Sequence, residues 1–169
     1  MMKRYTVAVL VKNQFGVLNR VTSMFRRRQF NISTLTVSET ESHAFSRITV
    51  LFDGEDSKKE QLIDQLYKLP DVCSIKELHN EGSINRELLL IKMQNSPETR
   101  TEIRDAAAAF DAQTVDYSRD SIVLQLTGDS RRIDDFINLM RDYTILEICR
   151  TGIVSLERGE TTLRSELNI

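Results

Sequence analysis

Tyr5-Thr6-Val7-Ala8-Val9-Leu10-Val11-Lys12-Asn13-Gln14-Phe15-Gly16-Val17-Leu18 decides the fold. Residues 5–11 are apolar or β-branched and read as a strand, and 13–16 as a turn. Val17, Leu18, Val21, Met24 and Phe25 then share one helical face. Arg26, Arg27 and Arg28 close that helix, where cations complement its negative end. Residues 32–38 are a Thr- and Val-rich strand, 39–43 a polar hairpin loop, and 45–52 a second strand ended by Asp53-Gly54. Ser57-Lys58-Lys59-Glu60 has the form of a capping box, Leu62, Leu66 and Leu69 make a helical stripe, and Pro70 stops it. Residues 72–78 are a fourth strand, completing the order β-α-β-β-α-β.

The second half repeats that order. Strand 88–93 leads to Ser96-Pro97, a cap residue before a proline at a helix start. Ile103, Ala106, Ala107 and Phe110 form the inward stripe. Strands 113–117 and 122–127 flank the turn Ser118-Arg119-Asp120. Gly128-Asp129-Ser130 opens a second helix with Ile133, Phe136, Ile137 and Met140 inward, and 145–149 is the last strand. An internal repeat of this size is two supersecondary units. The expected class is therefore α+β: two tandem ferredoxin-like βαββαβ units, each a four-stranded antiparallel sheet with two helices on one face. The division expected is 1–79, a linker at 80–85, a second unit at 86–158 and a flexible C-terminal tail at 159–169. Units this small have thin cores and open sheet edges, which predicts at least a dimer.

Composition narrows the chemistry. The 169 residues carry 23 Lys and Arg against 25 Asp and Glu, a net charge of -2, which lacks the basic footprint of a duplex nucleic-acid binder. No apolar run approaches the ~18 residues that span a bilayer, and the two Cys make neither a metal box nor a disulfide framework. A cytoplasmic chain without nucleic-acid or membrane partners is expected. His43 and His79 fall in a hairpin loop and at the linker and read as solvated residues. Cys73 and Cys149 read as small core residues at the last strand of each unit. Strand 45–52 lacks the aromatic, basic pattern of an RNA-recognition sheet. No self-contained active site emerges, and the expected catalytic and metal residues are none.

The informative feature is Asn13-Gln14-Phe15-Gly16-Val17-Leu18. A glycine between strand and helix lets the backbone turn tightly, and the following N–H groups at a helix start suit a carboxylate. Asn13 offers a donor and an acceptor, so the turn can take both ends of a zwitterion. Asn31-Ile32 opens the next strand, whose edge groups can complete such a pocket.

These residues resemble a known family. Asn13 to Leu18, followed by Arg20, resembles the N-x-x-G-V-L opening of amino-acid-binding ACT domains. Residues 25–37 are similar to the F-x-x-R-G-[FY]-N-I-x-S-L-T-V stretch of the acetolactate synthase (acetohydroxyacid synthase) small subunit. Ser46-Arg47-Ile48-Thr49, residues 65–72 (Q-L-x-K-L-x-D-V), residues 86–92 (R-E-L-x-L-[IV]-K) and residues 151–159 ([TS]-G through R-G) match further motifs of that family, in order. The resemblance implies a non-catalytic regulatory subunit of branched-chain amino-acid biosynthesis. It would activate a large catalytic subunit carrying thiamine diphosphate, Mg and FAD, hold no cofactor itself, and confer feedback inhibition by valine, with leucine or isoleucine as further effectors. It implies a homodimer through the ACT domains, in which Asn13, Gly16, Val17 and Leu18 of one chain meet Asn31 and Ile32 of the other. Two departures stand out. Phe15 is bulky where the family carries a small residue, which would narrow the pocket, and Gln29 replaces a glycine at a left-handed helix end. The loop Gln94-Asn95-Ser96-Pro97 has no glycine at its turn, so no effector is expected there. Two rivals are a freestanding tandem-ACT sensor acting on another enzyme or on gene expression, and a small enzyme on the same fold.

Overall fold

A computed structural model describes residues 2–165. The chain forms two compact units, residues 2–84 together with 155–165, and residues 85–154.

In the first unit, β1 (Lys3–Lys12) leads to α1 (Val17–Arg27), the hairpin β2 (Ile32–Glu39) and β3 (Phe45–Gly54), then α2 (Asp56–Tyr67) and β4 (Val72–Leu78). The sheet is antiparallel, in the order β2-β3-β1-β4. Tyr5, Val7, Val9 and Val11 of β1 point to the helices and pack with Val17, Val21 and Phe25 of α1 and Leu62 and Leu66 of α2. Ala8 and Leu10 point to the opposite face, where they pack with Leu78 and Leu163. Both faces of β1 are therefore covered, which is why its sequence is a continuous apolar run rather than an alternating one.

The second unit has β5 (Ser83–Gln94), α3 (Arg100–Ala109), β6 (Gln113–Tyr117), β7 (Ser121–Gly128), α4 (Ser130–Met140) and β8 (Ile145–Arg150), with sheet order β6-β7-β5-β8. Here β5 alternates: Leu89, Ile91 and Met93 are buried under the helices, while Leu88, Leu90 and Lys92 are half-buried. Glu87 is buried at the helix side, held by Arg150 (Nε 3.0 Å, Nη2 2.6 Å) and by the Ser130 hydroxyl at 2.5 Å.

The two tandem βαββαβ units are as expected, but five details differ. The capping box does not form, because α2 starts at Asp56, which puts Ser57 inside the helix. The Asp56 carboxylate instead accepts from Tyr5 and Lys3. Helix α3 starts at Arg100, beyond Pro97, with Thr99 as its cap. β5 begins at Ser83, which shortens the expected 80–85 linker. A ninth strand, β9 (Val154–Glu157), follows β8 and pairs with β5. Where a flexible tail was expected from 159, residues 159–165 pack on the first unit. Leu163 is 7% exposed, and Arg164 pairs with Glu41 at 2.7 Å and covers the Phe45 ring. The rest of that tail, 166–169, lies outside the described residues.

The end of α1 explains how Gln29 is tolerated. Gln29 adopts a left-handed backbone (φ 58°), the Phe30 N–H reaches Phe25 O at 3.0 Å, and the Gln29 N–H reaches Arg26 O at 3.1 Å. That is a Schellman end, with Phe30 packed on Phe25 as its apolar contact. Asp111 (φ 51°) ends α3 in the same way, its N–H on Ala108 O and that of Ala112 on Ala107 O. A residue with a Cβ is strained in this conformation by about 1 kcal/mol. Gln29→Gly relieves that strain and, offset by glycine's greater freedom when unfolded, is expected to raise the unfolding free energy by up to about 1 kcal/mol. Urea denaturation checks this, and a loss of stability contradicts it.

Candidate functional site

The β1–α1 turn is the centre of the candidate site. Gly16 sits at φ 78°, a backbone glycine adopts freely, and passes the chain into α1 at Val17. A Cβ at Gly16 would lie 3.3 Å from Nη1 of Arg20. Arg20 is clamped by Asp71, which accepts from its Nε at 2.8 Å and lies 2.6 Å from its Nη2. The opening turn of α1 carries N–H groups without intrahelical acceptors, and the helix dipole is positive there. A helix start beside an immobilised guanidinium is suited to a carboxylate.

Asn13 is tied down on the other side of the turn. Its N–H donates to Ala44 O at 2.8 Å, and Nδ2 donates to Glu39 Oε1 at 2.9 Å and to His43 O at 3.0 Å. His43 Nδ1 meets the second Glu39 oxygen at 2.7 Å. His43 is exposed, as expected, but it orients Glu39. Both amide hydrogens of Asn13 are used, so its carbonyl oxygen is the group that can accept from an ammonium.

The second unit repeats this tie with a different outcome. The Asn95 N–H donates to Asp120 O at 3.0 Å and Nδ2 to Ser118 O at 2.6 Å, as Asn13 does to its own hairpin. Its Oδ1, however, accepts from Arg100 Nε at 2.9 Å, and Asn95 is 3% exposed. The Asn95 side-chain oxygen is therefore taken and enclosed, whereas among the described residues nothing donates to Oδ1 of Asn13.

Gly16, Leu18 and Asn13 share one end of the unit. Val17 is different: its side chain is in the core and its N–H already donates to Gln14 O at 3.3 Å. The Phe15 side chain is 103% exposed and leaves the turn itself unfilled. Asn31 is exposed and Ile32 half-buried, but they lie at the opposite end of the sheet. Lys12 pairs with Phe45 and Ile32 with Phe52, seven residues along β3 or roughly 23 Å apart at strand rise. One chain thus holds both halves of the candidate site without joining them. Of the residues singled out for their chemistry, Cys73 is half-buried, its thiol pushed up by burial, whereas Cys149 is exposed on β8 rather than in a core. Among the described residues no group of three His, Cys, Asp or Glu is placed to hold a metal ion. Arg20, Asp71 and Glu39 flank the candidate site, a placement that sequence spacing left unassigned. The only sequence signal was that Arg20 and Asp71 both fall inside the quoted motifs.

The hydrogen bonds from His43 and then Asn13 hold the Glu39 carboxyl below the usual glutamate range. The folded state favours the charged form, so this contribution is present above the ordinary glutamate pKa and is lost as pH falls through the lowered one. A carboxyl NMR titration is expected to show a depressed Glu39 midpoint. His43→Ala is expected to raise that midpoint more than Asn13→Ala. An unchanged midpoint in both variants contradicts the arrangement.

A ferredoxin-like unit whose first strand enters its helix through a glycine turn is the architecture of the ACT class. Residues 7–74 match the family described as the AHAS small subunit-like ACT domain, and residues 86–159 the one described as the small subunit of acetolactate synthase. The probable acetolactate synthase small subunit of Archaeoglobus fulgidus is 47% identical over 156 residues, covering 92% of this chain and 98% of that protein. The acetolactate synthase small subunit of Bacillus subtilis is 45% identical over 159 residues, covering 94% of this chain and 92% of that one. The crystal structure of the Thermotoga maritima small subunit superposes with a TM-score of 0.87 at 35% identity, over 94% of this chain and 99% of that one. The chain belongs to the acetolactate synthase small-subunit family, and within that enzyme it is the regulatory, non-catalytic subunit.

Proposed function

We propose that this subunit activates a catalytic subunit carrying thiamine diphosphate, Mg and FAD, and confers feedback inhibition by valine on branched-chain amino-acid synthesis. It holds no cofactor of its own and works in the cytoplasm; no helix among the described residues is long and apolar enough to cross a membrane. The observation that carries this reading is the contrast at the two strand-to-helix turns. Only the first offers both a carboxylate position, at Gly16 and the α1 start, and an ammonium acceptor, at Asn13 Oδ1.

A second copy of the chain completes the pocket. β2 is a sheet edge, and residues 32–38 read Ile-Ser-Thr-Leu-Thr-Val-Ser, without the charge or proline that blocks edge pairing. Antiparallel β2–β2 pairing about a two-fold axis sets the Ile32 end of one strand beside the Glu39 end of the other. Asn31 and Ile32 of one chain then face Asn13, Gly16 and Leu18 of its mate. Leu18 and Ile32 offer the aliphatic surface for a branched side chain. Valine inhibits to the extent that it favours one dimer arrangement over another, and a coupling of about 1–3 kcal/mol corresponds to roughly 5–150-fold in affinity.

Gly16→Asp places a carboxylate in the effector's anion position. Like-charge opposition of several kcal/mol is expected to weaken valine binding by roughly 100-fold or more and to abolish inhibition, while the catalytic subunit is still activated. Valine sensitivity equal to wild type refutes the placement. Calorimetric titration is expected to separate valine from leucine and isoleucine by only about 1–3 kcal/mol, because one methylene in an apolar site discriminates no more than that.

A further inference from the structure

The face of the first sheet opposite its helices carries a cavity of about 380 Å³ beneath the returning segment 155–164. Leu10 and Arg47, directly paired across β1 and β3, form part of its floor, with Lys76 and Leu78 on β4, and Leu163 and Arg164 lie over them. Three cations and two carboxylates line this cavity. Lys76 pairs with Glu157 at 2.5 Å and Arg164 with Glu41 at 2.7 Å. Arg47 is left over. Its Nη2 donates to Ser155 O at 2.6 Å, its Nε is buried without an acceptor among the described residues, and burial lowers its pKa. Nη2 of Arg164 is likewise buried without an acceptor.

A buried guanidinium without a counter-charge is costly, and one unit of negative charge with two acceptor oxygens relieves it. We propose that this cavity binds a small aliphatic monocarboxylate, its carboxylate on Arg47 and Arg164 and its apolar body among Leu10, Leu78 and Leu163. Among the described residues the lining carries a single excess positive charge, which matches a monoanion rather than a phosphate dianion, and leucine-lined walls match an alkyl chain. The site lies on the other face of β1 from α1, shares no residue with the effector turn and stands independently of the valine reading.

Isovalerate, which lacks the ammonium that Asn13 would receive, is the probe. Calorimetry on the full chain is expected to show saturable one-to-one binding, weakened at least about tenfold by Arg47→Met and by less than about twofold in Gly16→Asp, with inorganic phosphate binding at least about tenfold more weakly. In wild-type protein, isovalerate is expected to shift the Arg47 Nε–H resonance, which keeps the test valid if Arg47→Met fails to fold. Absence of saturation up to about 50 mM, an unmoved Arg47 resonance, Arg47→Met binding as wild type, or phosphate binding equally well overturns the proposal.

Discussion

The separation of residues 13–18 from residues 31–32 is the constraint on which the account depends. Val17, Val21 and Phe25 lock α1 onto β1 and β3, and Phe30 is fixed behind Phe25 by the left-handed turn at Gln29. The chain therefore leaves the sheet at one end and re-enters it at the other, roughly 23 Å away along β3. The two groups of candidate residues sit at opposite ends of the sheet, and neither can reach the other within one protomer. Binding that needs both groups is coupled to assembly, which is how a small molecule can bias a quaternary state without chemistry of its own.

The duplicated units show how small the difference is between a binding turn and a structural one. Both use an asparagine to tie the turn to the neighbouring hairpin. In the second unit Arg100 fills the free acceptor and burial closes the turn. In the first, Arg20 pairs with Asp71 rather than with the asparagine, and the turn at residues 13–16 stays exposed. The same fold thus yields a candidate ligand site and a self-satisfied copy of it.

Local pattern was enough for the architecture. Apolar and β-branched runs, the stripes Val17-Val21-Phe25 and Ile133-Phe136-Ile137-Met140, and the Gly16 turn are signals each element carries by itself, and the repeat made them mutually consistent. What escaped depended on distant partners. The segment 155–165 shows few apolar residues, yet Leu163 seats on Ala8 and Leu10 and Arg164 on Phe45 and Glu41, contacts that no local periodicity encodes. Ser57 resembled a cap because its spacing fits, but Tyr5 and Lys3 recruit Asp56 and start α2 earlier. Asn13 and Gly16 were legible as a candidate site. The closure of Asn95 by Arg100 was not, because it is set by packing across the second unit.

Trans-complementation tests the central claim most directly. Gly16→Asp and Asn31→Ala each damage both sites of a symmetric dimer. Mixed and allowed to exchange, they form heterodimers in which one of the two sites is built from undamaged halves. If the site is shared between copies, calorimetry recovers valine binding at about a quarter of the wild-type stoichiometry with wild-type affinity. If each chain carries a complete site, the mixture binds no better than the separate variants, and the account fails.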